Sequence, residues 1–405
     1  MEKKFEFASI QRESSKEYSR YESYSENKEF VKFGQDNAFP DHLIDLVNNS
    51  SIHNTCVNAV VEGIIGDGLT SNVESALDLA NTEGESWNDI YKKVARDYKL
   101  FGGFALEVVW SNDGTTIAEV YHIDFSYLRA GEMNHRKTVE GYYLSDEWIA
   151  RDRDGRIRGY TKINLDDAAY LPVYNPSKAN EEKNQIIYHK PYSPGQKYYP
   201  LPDYVGALKV IDLDKEVDSF HNNNIKNGLA PSLSITTFTG ANDEERRAIE
   251  SMLRSQYGGP DNAGSMMYID VDDPANAPVI TPIPQNGADD YYYNLNEMVV
   301  QKILTAHRIT SPMILGIKTE GQLGGRTEVL DAYLLLLNTV IKPYQQDILG
   351  VFEMILDNQY GEELTIGVEQ LKLYNDGEEQ VDVVTSQEAE AGEDTELEKN
   401  IENAE

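Results

Sequence analysis

Cysteine is almost missing. Cys56 stands alone among 405 residues, which excludes an intramolecular disulfide and any zinc site built from paired cysteines. Basic residues are also scarce: 36 Lys+Arg face 69 Asp+Glu, a formal net charge of −33. Such a surface repels phosphate and disfavours tight nucleic-acid binding through a basic patch. Long apolar runs are missing too. The most apolar stretch, Val329 to Ile341, is broken by Asp331 and Asn338 and is too short to span a bilayer. No basic-then-apolar leader follows Met1, so the sequence predicts a soluble protein made in the cytoplasm, with no membrane partner.

The motifs of common enzyme chemistry are absent as well. There is no Gly-x-x-x-x-Gly-Lys-Ser/Thr; the nearest run, Gly316 to Gly321, continues into Gln322-Leu323 and cannot place a lysine on a phosphate. An ATP-driven motor is excluded on that ground. There is no Gly-x-Ser-x-Gly elbow. The histidines (His42, His53, His122, His135, His189, His221 and His307) include no pair four apart, which argues against a helix-borne metal site; His221 and His307 read as packing or surface residues. The run Asp152 to Arg156 brings its glycine too early for a calcium loop and reads as a hairpin turn. No catalytic residue, metal or cofactor is predicted. Carboxylates are so frequent that a pair such as Asp212/Glu216 reads first as a solvated helix face, with a carboxylate-based hydrolase as a remote alternative.

What the chain does have is a long amphipathic segment from Leu201 to Asn227. Pro202-Asp203 reads as its start, with Asp203 placed to cap the first turn. Tyr204, Leu208, Ile211, Leu213, Val217, Phe220 and Ile225 recur at spacings of mostly three and four, while Lys209, Asp212, Lys215, Glu216 and Lys226 fill the rest of the surface. Asn227-Gly228 stops the helix and Pro231 prevents a restart. At about 24 residues it would run about 36 Å, long for a core helix.

The other elements follow from similar signals. Residues 1 to 27 are polar and aperiodic and read as an arm. Pro40-Asp41 opens a helix that Ser50-Ser51 interrupts, and a second helix, Ile52 to Ile65, closes on Gly66-Asp67-Gly68. Ser86 and Asp89 form a capping box for a helix ended by Gly102-Gly103. A hairpin through Ser111-Asn112-Asp113-Gly114 and strand-like stretches up to His189 come next. Past the long helix, strands at Ser234–Phe238 and Met266–Asp270 flank a charged helix, Glu244–Ser255. A second long helix covers Tyr291 to Arg308 with Leu295, Met298, Val299, Ile303 and Ala306 in phase. A glycine-rich loop, Met313 to Gly325, leads to a helix capped by Thr327 and bent near Pro343. Leu364–Val368 and Leu371–Tyr374 read as closing strands, and from Asp376 on, acidic residues face the single base Lys399 in a tail too poor in apolar side chains to fold alone. The fold class predicted is α+β.

Several of these stretches resemble the portal proteins of tailed bacteriophages: Phe33-Gly34-Gln35-Asp36-Asn37-Ala38-Phe39-Pro40, the Ser50-x-x-His53 and Gly66-x-Gly68-Leu69 steps, the Asn227-Gly228-x-x-Pro231 helix end, and Ala306-His307-Arg308-Ile309-Thr310-Ser311-Pro312. The resemblance spans about Phe33 to Tyr374. It implies a flexible N-terminal arm (1–32), an α+β wing (33–200), stem helix 1 (201–228), an α/β clip (229–288), stem helix 2 (289–310), a tunnel loop (311–326), a kinked helix with closing wing strands (327–375) and an acidic disordered tail (376–405).

By the same resemblance the chain would form a homo-oligomeric ring of twelve at one capsid vertex, and would not be an enzyme. Its partners would be the large terminase subunit, the major capsid protein, head–tail adaptor proteins and double-stranded DNA passing without sequence specificity; its location would be the virion, and the host cytoplasm during assembly. Tunnel-loop residues near DNA would be Met313, Lys318, Gly321, Gly324, Gly325 and Arg326. The channel wall would carry Lys209, Asp212, Lys215, Glu216, Lys226 and Asn227, with Asp214 and Asp218 adding negative charge wherever they face the lumen. Glu244, Glu245, Arg246, Arg247 and Arg254 of the clip would dock terminase or adaptors. Another head–tail adaptor or a minor capsid protein is the nearest alternative.

Overall fold

The computed structural model describes residues 21–25, 29–151, 157–160, 165, 168–227, 231–237, 247, 265–270, 288–316, 326–361 and 364–371. In chain order the elements are β1 (Glu22–Tyr24), β2 (Val31–Phe33), α1 (Phe39–Asn49), α2 (Ser51–Ile65), β3 (Gly68–Ser71), α3 (Trp87–Phe101), β4 (Phe104–Trp110), β5 (Ile117–Ile123), β6 (Leu128–Ala130) and β7 (Gly141–Leu144). They continue with β8 (Ile149–Arg151), β9 (Ile157–Tyr160), β10 (Ala169–Pro172), β11 (Asn184–His189), α4 (Leu208–Asn227), β12 (Pro231–Thr237), β13 (Ser265–Asp270), α5 (Ala288–Ala306), α6 (Arg326–Leu336), α7 (Lys342–Tyr360) and β14 (Ile366–Glu369). The fold is mixed α+β. The charged helix expected at Glu244–Ser255, the turn at Asp152 to Arg156, the strand at Leu371–Tyr374 and the acidic tail lie largely outside the described residues.

The chain divides into two units. The larger holds Tyr18–Ile44, Thr55–Asp203 and Arg308–Glu405. Its centre is α3, which the Ser86 side chain caps by accepting from Asp89 N while Asp89 accepts from Ser86 N in return. The buried face of α3 sets Trp87 edge-on to Phe352 of α7, ring centroids 5.0 Å apart, and Tyr91 donates its hydroxyl to Ile64 O at 2.7 Å. Two antiparallel three-stranded sheets accompany it, in the orders β11-β4-β5 and β10-β7-β6.

Gly102 ends α3 with φ +83°, and a Cβ there would meet Leu201 O at 2.3 Å, which is main chain and cannot swing away. Gly102→Ala therefore combines left-handed strain with a forced backbone shift, and is expected to cost about 2–3 kcal/mol in urea unfolding.

The sequence reading counted residues 22 to 24 with the arm, yet they pair with β2 in register Glu22↔Phe33, Ser23↔Lys32 and Tyr24↔Val31. The bend near Pro343 takes a specific form. A π-turn, Leu337–Ile341, separates α6 from α7, and Pro343, which has no N–H to donate, falls in the first turn of α7. α6 starts at Arg326, so Arg326 belongs to the helix rather than the loop, and Thr327 is inside the helix rather than its cap.

The smaller unit contains Asp45–Asn54 and Tyr204–His307. α4 and α5 pack side by side in it. Ile211 and Val217 of α4 and Val299, Ile303 and Leu304 of α5 are buried, while Met298, which the periodicity places in the apolar phase, is 42 % exposed. β12 and β13 pair in parallel, with Ile235 opposite Tyr268. A parallel pair needs a crossover between its strands, and the connecting residues 238–264, apart from Arg247, lie outside the described residues.

Candidate functional site

Several of the motifs singled out in the sequence have a local physical task. In the Phe33-to-Pro40 stretch, Asn37 adopts φ +62° and its Oδ1 accepts from Phe33 N at 3.0 Å, while Asp36 Oδ1 accepts from Ala38 N at 3.1 Å. The loop so formed presents Asn37 to Arg129. That guanidinium is fully buried and donates to Asn37 Oδ1 (2.6 Å), Asn37 O (2.8 Å), Ser126 O (2.8 Å) and Leu128 O (2.7 Å), with the Trp148 ring 5.2 Å away. Burial pulls its pKa down to about 10.

Ser50, of the Ser-x-x-His step, caps α2 by accepting from His53 N at 3.2 Å and donates to Asp214 Oδ2 of α4 at 2.7 Å. His53 Nδ1 lies 2.9 Å from His307 Nε2, and the ring of Tyr204 rests 4.6 Å from His53 and 5.0 Å from His307. The two histidines, 254 residues apart, are both fully buried at the base of the α4/α5 pair. His307 is thus a packing residue, one of the two readings the sequence left open, and His221 is exposed. Lys215 Nζ reaches Asp45 Oδ2 at 2.5 Å.

In the larger unit, Lys99 is buried and donates to both oxygens of Asp203 at 2.8 and 2.9 Å, with the Tyr344 ring 5.8 Å from its Nζ. Arg308 Nη2 stands 3.6 Å from Asp203 Oδ2, and its Nη1 donates at 3.4 Å to Thr339 O, the carbonyl four residues before Pro343 that a proline cannot serve. Here a sequence expectation fails. Asp203 does not cap the long helix. Its carboxylate is committed to Lys99, and the helix begins instead with a 3-10 turn, Val205–Ala207, with no side-chain cap.

The expected channel-wall residues separate on burial. Lys209 and Glu216 are exposed and Lys215 is half-buried, whereas Asp212 and Asp214 are 9 % and 3 % exposed. Asp214 accepts from Ser50, and Asp218 is exposed. Lys226 and Asn227 lie in the last turn of α4. Met313 sits half-buried in a 3-10 turn, Pro312–Leu315; Lys318, Gly321, Gly324 and Gly325 lie outside the described residues. Of the clip set, Arg247 is helical and exposed, while Glu244, Glu245, Arg246 and Arg254 lie outside the described residues.

Burial raises the pKa of Asp214, with Asp218 adding to the rise and the Ser50 bond opposing it. The folded state then holds a proton that the unfolded chain loses near 3.8, so stability falls as pH rises from that value through the raised folded pKa. Asp214→Asn keeps an acceptor for Ser50 without the buried charge. It is expected to raise stability by up to about 1 kcal/mol at neutral pH, a gain that disappears in acid, followed by far-ultraviolet circular dichroism.

Among the described residues, no group of three His, Cys, Asp or Glu side chains could hold a metal ion, and no helix is long and apolar enough to cross a membrane.

No protein-family profile matches the sequence. The chain is 26 % identical over 191 residues to a protein described as a probable portal protein of Haemophilus phage HP1, a match covering 47 % of this chain and 54 % of the relative. It thus spans about half the length of the curated relative it matches. Among solved structures, the fold is similar to a chain in the neck of a native gene transfer agent particle computed with C12 symmetry (14 % identity, 87 % of each chain, TM-score 0.49). It is also similar to an HK97 family phage portal protein from Corynebacterium diphtheriae (8 % identity, 80 % of this chain and 93 % of that one, TM-score 0.40). The resemblance carried by the motifs is matched by sequence similarity over about half the chain: this protein is similar to a phage portal protein.

Proposed function

We propose that the chain is a portal subunit, one of a ring of about twelve at a single vertex of a phage-type capsid, through which double-stranded DNA enters and leaves. The observation that carries this reading is the pair of long helices α4 and α5, packed side by side and joined through the parallel strands β12 and β13, in a chain similar over 191 residues to a probable portal protein. In the ring the two helices would stand against those of neighbouring copies and form the channel wall.

The mechanism is passive. Glu216 and Asp218, exposed on α4, keep the wall acidic and limit phosphate adhesion, with Lys209 and Lys215 interspersed. The residues after Met313, with Lys318, Gly321, Gly324 and Gly325, would reach the DNA ahead of Arg326. The segment with Glu244, Glu245, Arg246, Arg247 and Arg254 would dock the large terminase subunit during packaging and head–tail adaptors afterwards, and the outer body would contact the major capsid protein. The protein would assemble in the host cytoplasm and remain in the virion.

Native mass spectrometry with negative-stain imaging of the purified chain tests the reading. A ring of about a dozen 45.7 kDa subunits around an axial hole is expected. A stable, closed dimer would overturn it.

A further inference from the structure

Three consecutive main-chain amides converge on one side-chain oxygen in the larger unit. Glu22 Oε1 accepts from Lys197 N at 2.8 Å, Tyr198 N at 2.7 Å and Tyr199 N at 3.0 Å. Successive N–H groups aimed at a common point form an anion-binding concavity, and a carboxylate is the ionised group that best uses it.

The concavity is held in shape from behind. Ser193-Pro194-Gly195-Gln196 turns with Gly195 at φ +84° and Gln196 N donating to Ser193 O at 3.1 Å, which suits proline followed by glycine. Lys190 Nζ donates to Lys197 O at 2.7 Å and Gln196 O at 3.5 Å. Tyr199 stacks on Phe33 at 4.1 Å, accepts from Ala130 N at 2.9 Å and donates to Val31 O. Tyr188 donates its hydroxyl to Tyr198 O at 3.3 Å. None of these supports requires Glu22.

The strand that carries Glu22 is weakly held otherwise. β1 is three residues long and, among the described residues, pairs with the three residues of β2, too little for a hairpin to persist in water by itself. Beyond the ladder, Ser23 Oγ donates to Gly34 O at 3.0 Å, the Tyr21 ring lies 4.9 Å from Phe39, and Tyr24 meets Tyr198, hydroxyls 3.4 Å apart and rings edge-on at 6.2 Å.

We propose that the amides of Lys197, Tyr198 and Tyr199 are a preformed carboxylate-binding site whose resident ligand is Glu22, so that β1 is a strap latched by its own side chain and released when that carboxylate is withdrawn. The inference does not depend on the portal reading, since it concerns one chain and no DNA.

Hydrogen exchange read by mass spectrometry on the full chain tests it, comparing wild type with Glu22→Ala and Glu22→Gln. In Glu22→Ala, peptides covering 195–200 and 21–25 are both expected to exchange about tenfold faster or more. Adding 0.1 M sodium acetate should restore protection at 195–200 but not at 21–25, because a free carboxylate fills the concavity without carrying the strap; equimolar sodium chloride should restore neither. Glu22→Gln keeps a neutral acceptor in place, so it should lose less protection and show no acetate response. Unchanged exchange at 195–200 in Glu22→Ala, or equal effects of acetate and chloride, would overturn the proposal. Should Glu22→Ala fail to fold by circular dichroism, Glu22→Gln decides alone: protection equal to that of wild type at both peptides would mean the charge of the ligand is irrelevant.

Discussion

Asp203→Ala is expected to destabilise the larger unit by about 3–5 kcal/mol, whereas Lys99→Met should stay within about 1 kcal/mol of wild type. The asymmetry follows from where the charges sit. Lys99 is buried and ion-paired with Asp203; Asp203 is partly exposed and also has Arg308 at 3.6 Å. Removing the aspartate strands an ammonium where water cannot reach it. Removing the ammonium leaves a carboxylate with another cation and solvent, while methionine fills the space of the lysine stem. Burial depresses the pKa of Lys99 and Asp203 pulls it back up, so the depression deepens in Asp203→Ala. Between that folded value and the ordinary 10.5 the unfolded chain binds more protons than the folded one, so stability rises with pH. The penalty of Asp203→Ala should therefore shrink from pH 7 towards pH 10. All three tryptophans, Trp87, Trp110 and Trp148, belong to this unit, so urea unfolding followed by tryptophan fluorescence reads it directly. If Lys99→Met proves as damaging as Asp203→Ala, the cluster is a packing feature and the charge argument is wrong.

Arg129→Ala should be of comparable size, about 4 kcal/mol, by a different route. Among the described residues Arg129 has no carboxylate within ion-pair distance; it is held by one side-chain amide oxygen and three main-chain carbonyls, with Trp148 over its plane. Truncation takes a donor from each of these buried acceptors, of which Asn37 Oδ1 keeps Phe33 N; each one left unpaired and out of reach of water costs about 1–3 kcal/mol, and a cavity opens beside Trp148. Arg129→Lys should recover less than half of the loss, because one ammonium cannot reproduce a planar fork donating in several directions. Equal stability of Arg129→Lys and wild type would show that charge, not geometry, is what the site requires.

Local signals in the sequence identified most elements because they act within a few residues. The Ser86/Asp89 box, the stop at Gly102, the hairpin turn before Thr116 and the apolar periods of α3 and α4 each depend on neighbours three or four positions away. The short strands β3, β6 and β10 escaped notice. Three or four residues are too few to establish a period of two, and their pairing partners lie far along the chain, as with β3 and β14. Met298 is in phase by sequence yet exposed, because the period marks a stripe without saying which part of it α4 covers.

The candidate site divides in the same way. Residue types and motif positions were legible: the long helix with its Asn227-Gly228 end, the proline-interrupted helix, and the Ser50-x-x-His53 and Ala306-to-Pro312 runs. Which side chains meet was not. Asp203 reads as a helix cap until Lys99, 104 residues earlier, is brought against it, and Asp214 reads as a surface acid until Ser50 reaches it across 164 residues. His53 and His307 carry no spacing signal at all, and the partners of Arg129 and Glu22 are mostly main-chain atoms, which no residue pattern encodes. Helix periods, the Ser86/Asp89 box and the glycine stop at Gly102 were determined by the sequence alone, since the covalent chain keeps the interacting groups close. Burial and pairing of charge were decided only by the tertiary structure, because they depend on which distant segments exclude water from the same place.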